Sequence, residues 1–491
     1  MKSKSKYILE FCFDICYNII EYLYASNFLK EKKQMDIKYY AAVDIGGSSG
    51  RLILAHTENG KIICEEIHRF VHPLEKNTEG TLVWDTALLF ENIVEGLSLC
   101  KKAGKIPVSV AVDMWGVDYV LLDGNGDIVG DAVSNRDGRT EGMDILLEKE
   151  MSFDELYSVT GIQKMQLNTV YQMKAVLEKH PEQLSRAKHF LMLPDYMTYL
   201  LSGNIAAEYT NASTTAMLDA RTRKWSDKIL DLLKVDKNIM PEIVYPCTSA
   251  GRLLPEIAEK VGFDCEVVYP ATHDTGSAVM SVTHPDCIYI SSGTWSLVGV
   301  EIDEPNTSEQ SRKLNFTNEG GFGGKIRYLK NIIGLWFIQC IRRELGGNIS
   351  YPELAKMAES FGKTDKTIDV FHPRFLAPDS MIKEVRAACD SPDMSVDEVL
   401  LVVYKSLALA YSKVFLMLDE VAGKRYDTVC IIGGGSRDSF LSGLTAEYSG
   451  RKVIKGATEA TAMGNIAAQL IASGEIDSLA QAREYIANSV E

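Results

Sequence analysis

Four short segments hold the side chains and backbone donors that could do chemistry. Asp44-Ile45-Gly46-Gly47-Ser48-Ser49-Gly50-Arg51 offers several unobstructed backbone N–H groups, two hydroxyls and a cation, the ingredients of a phosphate nest. Asp44, closing an apolar strand, suits a hydrated Mg²⁺ ion, which prefers hard oxygen ligands and keeps several waters. An ordinary hairpin tip has the same composition, so this loop alone does not decide. Ser291-Ser292-Gly293-Thr294-Trp295-Ser296 repeats the small, hydroxylated design, and two such loops face to face can hold a triphosphate from both sides. Ala271-Thr272-His273-Asp274-Thr275-Gly276-Ser277-Ala278 supplies a base. His273 has the better pKa for neutral pH, yet in phosphoryl transfer through a loose transition state the alcohol gives up its proton late and a carboxylate suffices. Either residue fits. Ile431-Ile432-Gly433-Gly434-Gly435-Ser436-Arg437-Asp438 is similar to a dinucleotide fingerprint, but Asp438 replaces the third glycine and the next strand ends in Lys455 rather than an acid. NAD is therefore disfavoured, and these glycines serve either a helix-starting turn or the close approach of a ring or ribose.

The elements around these segments predict how they are held. Tyr39 to Ile45 and Arg51 to His56 read as strands flanking the first loop, and Asp85 caps a helix with Leu89, Ile93, Leu97 and Cys100 at helical spacing. Val108 to Asp113 is a further strand, followed by Trp115-Gly116-Val117-Asp118, a flat apolar face with polar neighbours that suits a sugar pocket as well as a core. Asp123 to Asp127 predicts a hairpin turn rather than a calcium loop, because the following glycine and closing glutamate are missing. From Ser152 to about Ile243 the pattern is mainly helical, and Glu266 to Pro270 returns to strand. The stretch 280–285 predicts a domain junction. Beyond it, Cys287 to Ile290 and Ser296 to Glu301 repeat the strand, loop, strand plan, which predicts two domains on a related design. Ser395 with Glu398 predicts a capping box for a long helix ending near Gly423, and Thr428 to Ile432 a strand leading through Gly433-Gly434-Gly435 into a helix through Leu444. Alternating strands and helices place the fold in the α/β class. Gly362-Lys363-Thr364 fails as a Walker lysine because Met357 occupies the first glycine's place.

Composition limits the alternatives. At 491 residues the chain has room for about two to four domains. Its 52 basic against 67 acidic residues, net charge −15, repel phosphate backbones and argue against a nucleic-acid partner. Ten scattered cysteines with no CxxC pair predict reduced thiols and a cytoplasmic setting. No apolar run free of charge reaches the ~20 residues that cross a membrane: Asn331 to Ile341 is too short, and Val399 to Leu418 is broken by Lys405 and Lys413. Residues 1–37 read as an extension: Lys2, Lys4 and Lys6 precede aromatics, but Glu10, Asp14 and Glu21 break any signal-peptide core, and Met35 is an expected natural start.

Taken in order, Asp44 to Arg51, Trp115 to Asp118, His273 to Ser277, Gly293-Thr294-Trp295-Ser296 and Gly433-Gly434-Gly435 resemble the FGGY family of carbohydrate kinases over about residues 38 to 473. Leu329-Lys330-Asn331-Ile332-Ile333-Gly334-Leu335-Trp336 is similar to the subgroup acting on L-rhamnulose. The resemblance implies two ribonuclease-H-like domains of the actin and sugar-kinase type around a central cleft: 38–282 with sugar and base, 283–491 with nucleotide. It implies a cytoplasmic, monomeric or homodimeric enzyme that phosphorylates the 1-hydroxyl of L-rhamnulose with ATP and Mg²⁺, with L-fuculose or D-xylulose kinases as sibling alternatives and a non-catalytic sensor as the rival. It also implies roles. Asp274 is the base; Gly116, His273, Asp274, Thr275 and Asn331 bind the sugar. Gly47, Ser48, Ser49, Gly50, Arg51 and Thr294 hold phosphates, with Gln339 and Gly435 near the nucleoside. Asp44, with Asp274, lies on the metal side through water. The family pattern carries alanine or another small residue where this chain has Gly47.

Overall fold

A computed structural model describes residues 37–284 and 286–490; the expected N-terminal extension, with Met35, lies outside the described residues. Two six-stranded sheets dominate. The first contains β1 (Tyr39–Ile45), β2 (Ser49–Glu58), β3 (Lys61–Val71), β4 (Pro107–Met114), β5 (Thr248–Arg252) and β6 (Glu266–Tyr269), in the spatial order β5-β6-β4-β1-β2-β3. The second contains β7 (Ile288–Ser292), β8 (Trp295–Ile302), β9 (Thr317–Gly320), β10 (Ile326–Ile333), β11 (Thr428–Ile432) and β12 (Lys452–Lys455), in the order β9-β10-β8-β7-β11-β12.

The repeated plan extends well past the two hairpins. In each sheet the hairpin (β1/β2, β7/β8) continues antiparallel into a third strand (β3, β10), while its first strand pairs in parallel with a fourth (β4, β11) and that one with a fifth (β6, β12). Parallel pairing needs crossover connections, which here carry helices. The segment between β4 and β5 is an insertion, mainly helical, with the short antiparallel pair Tyr119–Leu122 and His189–Met192.

Apart from Asp44 near its end, β1 is apolar because both its faces are covered. Ala41, Val43 and Ile45 pack with Leu89, Ile93 and Leu97 of α1 (Thr86–Lys102), which Asp85 caps by accepting from the Leu88 N–H. Tyr40 and Ala42 face the opposite way, into a cluster with Ala278 and Val279 of α2 (Asp274–Met280) and Ile466, Ala467 and Leu470 of a late helix, Ala460–Ala472. That late helix follows the second sheet in sequence yet lies on the first, so the two halves share a core. Where it crosses α2, Gly464 leaves no room for a side chain: a Cβ there would stand 1.7 Å from the Ser277 carbonyl oxygen.

Two local expectations are revised. The long helix Val396–Ala422 is capped by Ser395, which accepts from the Glu398 N–H, but the Glu398 carboxylate accepts from Lys366 and Thr364 instead of closing a capping box. An ion pair with a nearby lysine outcompetes the backbone donor. After β11 the chain makes a 3₁₀ turn, Gly434–Arg437, and the helix proper is Ser439–Ser449, capped by Asp438. The Val396–Ala422 helix, alone among the described residues in being long and apolar enough to cross a membrane, is largely buried in the core of the second half.

Candidate active site

The ends of β1, β4, β7 and β11 open on one cavity of about 520 Å³ between the halves, a size suited to a small polar ligand. Gly46, Gly47 and Ser48 line it from the first hairpin tip, Ser291 to Trp295 from the second, and Gly433 and Gly434 from the third glycine-rich turn. Gly116, His273, Asp274, Thr275 and Asn331 line it as well. The segments singled out in the sequence thus meet at one place.

Ser49, Gly50, Arg51, Gln339 and Gly435 stand behind this lining. The Ser49 carbonyl accepts from the Gly46 N–H at 3.0 Å and closes the tip. Gly50 passes beneath the Phe70 ring, where a Cβ would come within 2.2 Å of it. The Arg51 guanidinium donates to Asp44 Oδ2 from Nε at 3.1 Å and Nη2 at 2.8 Å, and also pairs with Glu459. Gln339 accepts from the Thr294 hydroxyl at 3.2 Å. At Gly435 a Cβ would lie 2.0 Å from Ser292 Oγ, so glycine lets the third turn seat against the second loop.

Asp274 starts α2 directly after the β6 connection. The Met114 N–H donates to the Thr272 carbonyl, which ties that connection to the end of β4. The Asp274 carboxylate accepts on Oδ1 from the Thr275 N–H at 2.5 Å and the Thr275 hydroxyl at 3.1 Å. Oδ2 receives no hydrogen bond among the described residues. Desolvation in the cleft, then the charge of Asp44, raise its pKa to about 6.

A third carboxylate escapes the sequence reading. Parallel pairing sets Asp113 beside Asp44, and antiparallel pairing sets Arg51 on the other side, so the three share one face of the sheet. Asp113 is fully buried; Asn465 donates to its Oδ2 at 2.6 Å, while Oδ1 has no partner among the described residues. Burial and then Asp44 push its pKa well above the ordinary carboxylate range, and Asp274 adds to the repulsion. Among the described residues no three ligating side chains close on a metal by themselves. Mutually repelling carboxylates beside two phosphate-sized loops fit a hydrated cation held largely by water and ligand oxygens.

The apolar wall is built around Asp118. The Trp84 and Trp115 rings lie 4.3 Å apart between centroids, and both indole N–H groups donate to Asp118 Oδ2, at 2.7 and 2.9 Å. Asn135 adds its backbone and side-chain N–H, and Gln172 donates to Oδ1 at 3.1 Å. A buried carboxylate so completely satisfied orients the wall it carries. Asn331, from the second sheet, donates to Gln163 Oε1 of the insertion at 3.1 Å and joins the two sides of the cavity.

Comparison with known proteins agrees with this geometry. The profile of the FGGY family of carbohydrate kinases, N-terminal domain, matches residues 39–281, and that of the C-terminal domain matches 288–473. A rhamnulokinase from Halalkalibacterium halodurans is 44% identical over 93% of this chain and 98% of its own, and one from Enterococcus faecalis is 39% identical over 94% of each. In fold the chain is similar to gluconate kinase from Lactobacillus acidophilus (TM-score 0.76, 15% identity, 92% of each chain) and to Plasmodium falciparum glycerol kinase with ADP (TM-score 0.75, 14% identity, 93% of each chain). With its duplicated sheet, its paired loops and both profiles matched in order, the chain belongs to the FGGY family of carbohydrate kinases.

Proposed function

We propose that the protein transfers the γ-phosphoryl group of ATP to the 1-hydroxyl of L-rhamnulose. The carrying observation is that Asp274 and the two hairpin loops line a single cavity; the choice of sugar draws on the relatives named rhamnulokinase. The 38–282 domain holds the sugar and the base, and the 283–491 domain the nucleotide.

The sugar lies against the Trp84 and Trp115 wall, with Gly116, His273, Thr275 and Asn331 around it. Asp274 Oδ2 accepts the proton of the attacking hydroxyl as the phosphoryl group departs from ADP, late in a loose transition state. Thr275 holds Oδ1 and so fixes the carboxylate plane. Backbone N–H groups at Gly47 and Ser48 bind phosphate oxygens, and the Thr294 hydroxyl does the same once its single proton turns from Gln339 Oε1 to the phosphate. The pairs Arg51 makes with Asp44 and Glu459 hold Asp44 in place. Asp44 and Asp274 would hold Mg²⁺ through water, a cation that supplies neutralisation of charge on the transferred group. The aromatic wall and the close meeting of the halves exclude water that would otherwise hydrolyse ATP.

A coupled ADP-release assay over L-rhamnulose, L-fuculose, D-xylulose, L-ribulose and glycerol tests the proposal. We expect the highest kcat/KM for L-rhamnulose; a preference for another sugar would correct the substrate, and no turnover on any would reject the reaction.

The pH profile carries a second prediction. Asp274 is competent only when ionised, and its pKa is raised to about 6. The kcat/KM profile should therefore fall tenfold per unit below about pH 6, against about 4 for an ordinary aspartate. Full activity reaching down to pH 5 would contradict the assignment.

A further inference from the structure

Arg327, on β10, has no solvent exposure, yet it reaches across to the imidazole beside Asp274. Its Nε donates to the Gly320 carbonyl at 2.6 Å, its Nη2 lies 3.0 Å from His273 Nδ1, and its Nη1 lies 3.2 Å from Glu319 Oε2. A guanidinium has five donors and no acceptor. His273 Nδ1 must therefore be the lone-pair nitrogen, and the proton of the neutral ring resides on Nε2, 3.4 Å from Asp274 Oδ1. Glu319 competes for the opposite arrangement: its Oε2, buried and without a hydrogen bond, is 3.6 Å from the same Nδ1 and would accept from an Nδ1–H. Arg327 lies between these alternatives and decides for one.

We propose that Arg327, anchored by Glu319 and Gly320, is a positioning residue that fixes the Nε2–H tautomer of His273, so that the imidazole offers the sugar a donor and never a base. The inference rests on the sugar site proposed above. It resolves the choice between His273 and Asp274: with Nδ1 committed to Arg327 and Nε2 protonated, the ring has no lone pair left for a substrate proton. His273 then donates to Asp274 or to a sugar oxygen beside the one Asp274 deprotonates. Without Arg327, an Nδ1–H bonded to Glu319 would turn the Nε2 lone pair toward the Asp274 carboxylate, a repulsive pairing. It also gives a role to a buried charged pair where apolar residues of similar volume would be at least as stable.

The test reads the tautomer directly, without turnover. In the full-length protein labelled with ¹⁵N-histidine, long-range ¹H–¹⁵N spectra near neutral pH resolve the ring nitrogens, and the His273 signals are assigned by their loss in His273→Asn. We expect an Nε2–H pattern in the unmodified protein, retained in Arg327→Lys, and an Nδ1–H pattern in Arg327→Met. Arg327→Met should lower kcat for the ketose roughly tenfold, the worth of one hydrogen bond, with KM for ATP unchanged. If Arg327→Met does not fold because Glu319 is left unpaired, the double variant Arg327→Met/Glu319→Gln restores neutrality and should lose the single tautomer with the same fall in kcat. An Nδ1–H pattern in the unmodified protein, or an unaltered Nε2–H pattern with unaltered kcat in the methionine variant, overturns the proposal. Activity on a different sugar would overturn the functional reading and leave the tautomer result standing.

Discussion

Asp274→Asn should lower kcat by about 10²–10⁴-fold, the range general-base catalysis contributes, while sugar and ATP still bind. Asparagine keeps the shape of the side chain, and its amide oxygen can still accept from the Thr275 N–H and hydroxyl that hold Oδ1. What it loses is the capacity to take a proton. Burial and then Asp44 are the main causes of the raised Asp113, and replacing Asp274 removes the smaller repulsion it adds, so the variant should fold at least as stably. Calorimetric titration with the ketose and single-turnover kinetics separate the outcomes: retained affinity with lost turnover is expected, and unaltered turnover would remove Asp274 from the chemistry.

Gly464→Ala should damage stability and activity together. An exposed helical glycine replaced by alanine gains about 0.5–1 kcal/mol. Here the added Cβ would stand 1.7 Å from the Ser277 carbonyl oxygen and 2.5 Å from its carbon. Both atoms are backbone, so no side chain can swing away and α2 must separate from the Ala460–Ala472 helix. Overpacking of this kind costs about 1–3 kcal/mol or more, which outweighs the propensity gain. The same displacement moves Asp274 at the start of α2, and loosens Asn465 from Asp113. A shift of about 1 Å at reacting atoms can cost about 10² in rate. Denaturant midpoint and kcat should both fall; a raised midpoint would show that the crossing is less tight than described.

The parts of the site legible in the sequence are those whose chemistry is local. Asp44 to Arg51 and Ser291 to Ser296 announce themselves because glycines and hydroxyls interrupt apolar strands, and the repeat of that pattern foretells the duplicated sheet. Asp113 does not announce itself in the same way, because its partner Asp44 is set beside it only by a parallel pairing closed through α1. One signal was present: an acid ending the run Val110-Ala111-Val112 must be buried if the strand is central. Arg327 and Glu319 give even less warning, since charged residues in strands are usually solvated, and only the meeting of β9 and β10 with the other half buries them. Asp118 reads as a polar neighbour of Trp115, yet its partners Trp84, Asn135 and Gln172 come from three other segments. Gln339 follows from the family resemblance alone and Gly435 from a glycine run that could equally start a helix, and their place behind Thr294 and Ser292 is a matter of packing that no spacing encodes.

The most direct test of the central claim is the identity of the product. With ATP, Mg²⁺ and L-rhamnulose, ³¹P and ¹³C spectra should show phosphorus on the sugar's C1 oxygen, with one ADP formed for each sugar phosphorylated. Phosphate released as the free ion, phosphate on another carbon, or an unmodified sugar would contradict an Asp274 that draws its proton from the 1-hydroxyl.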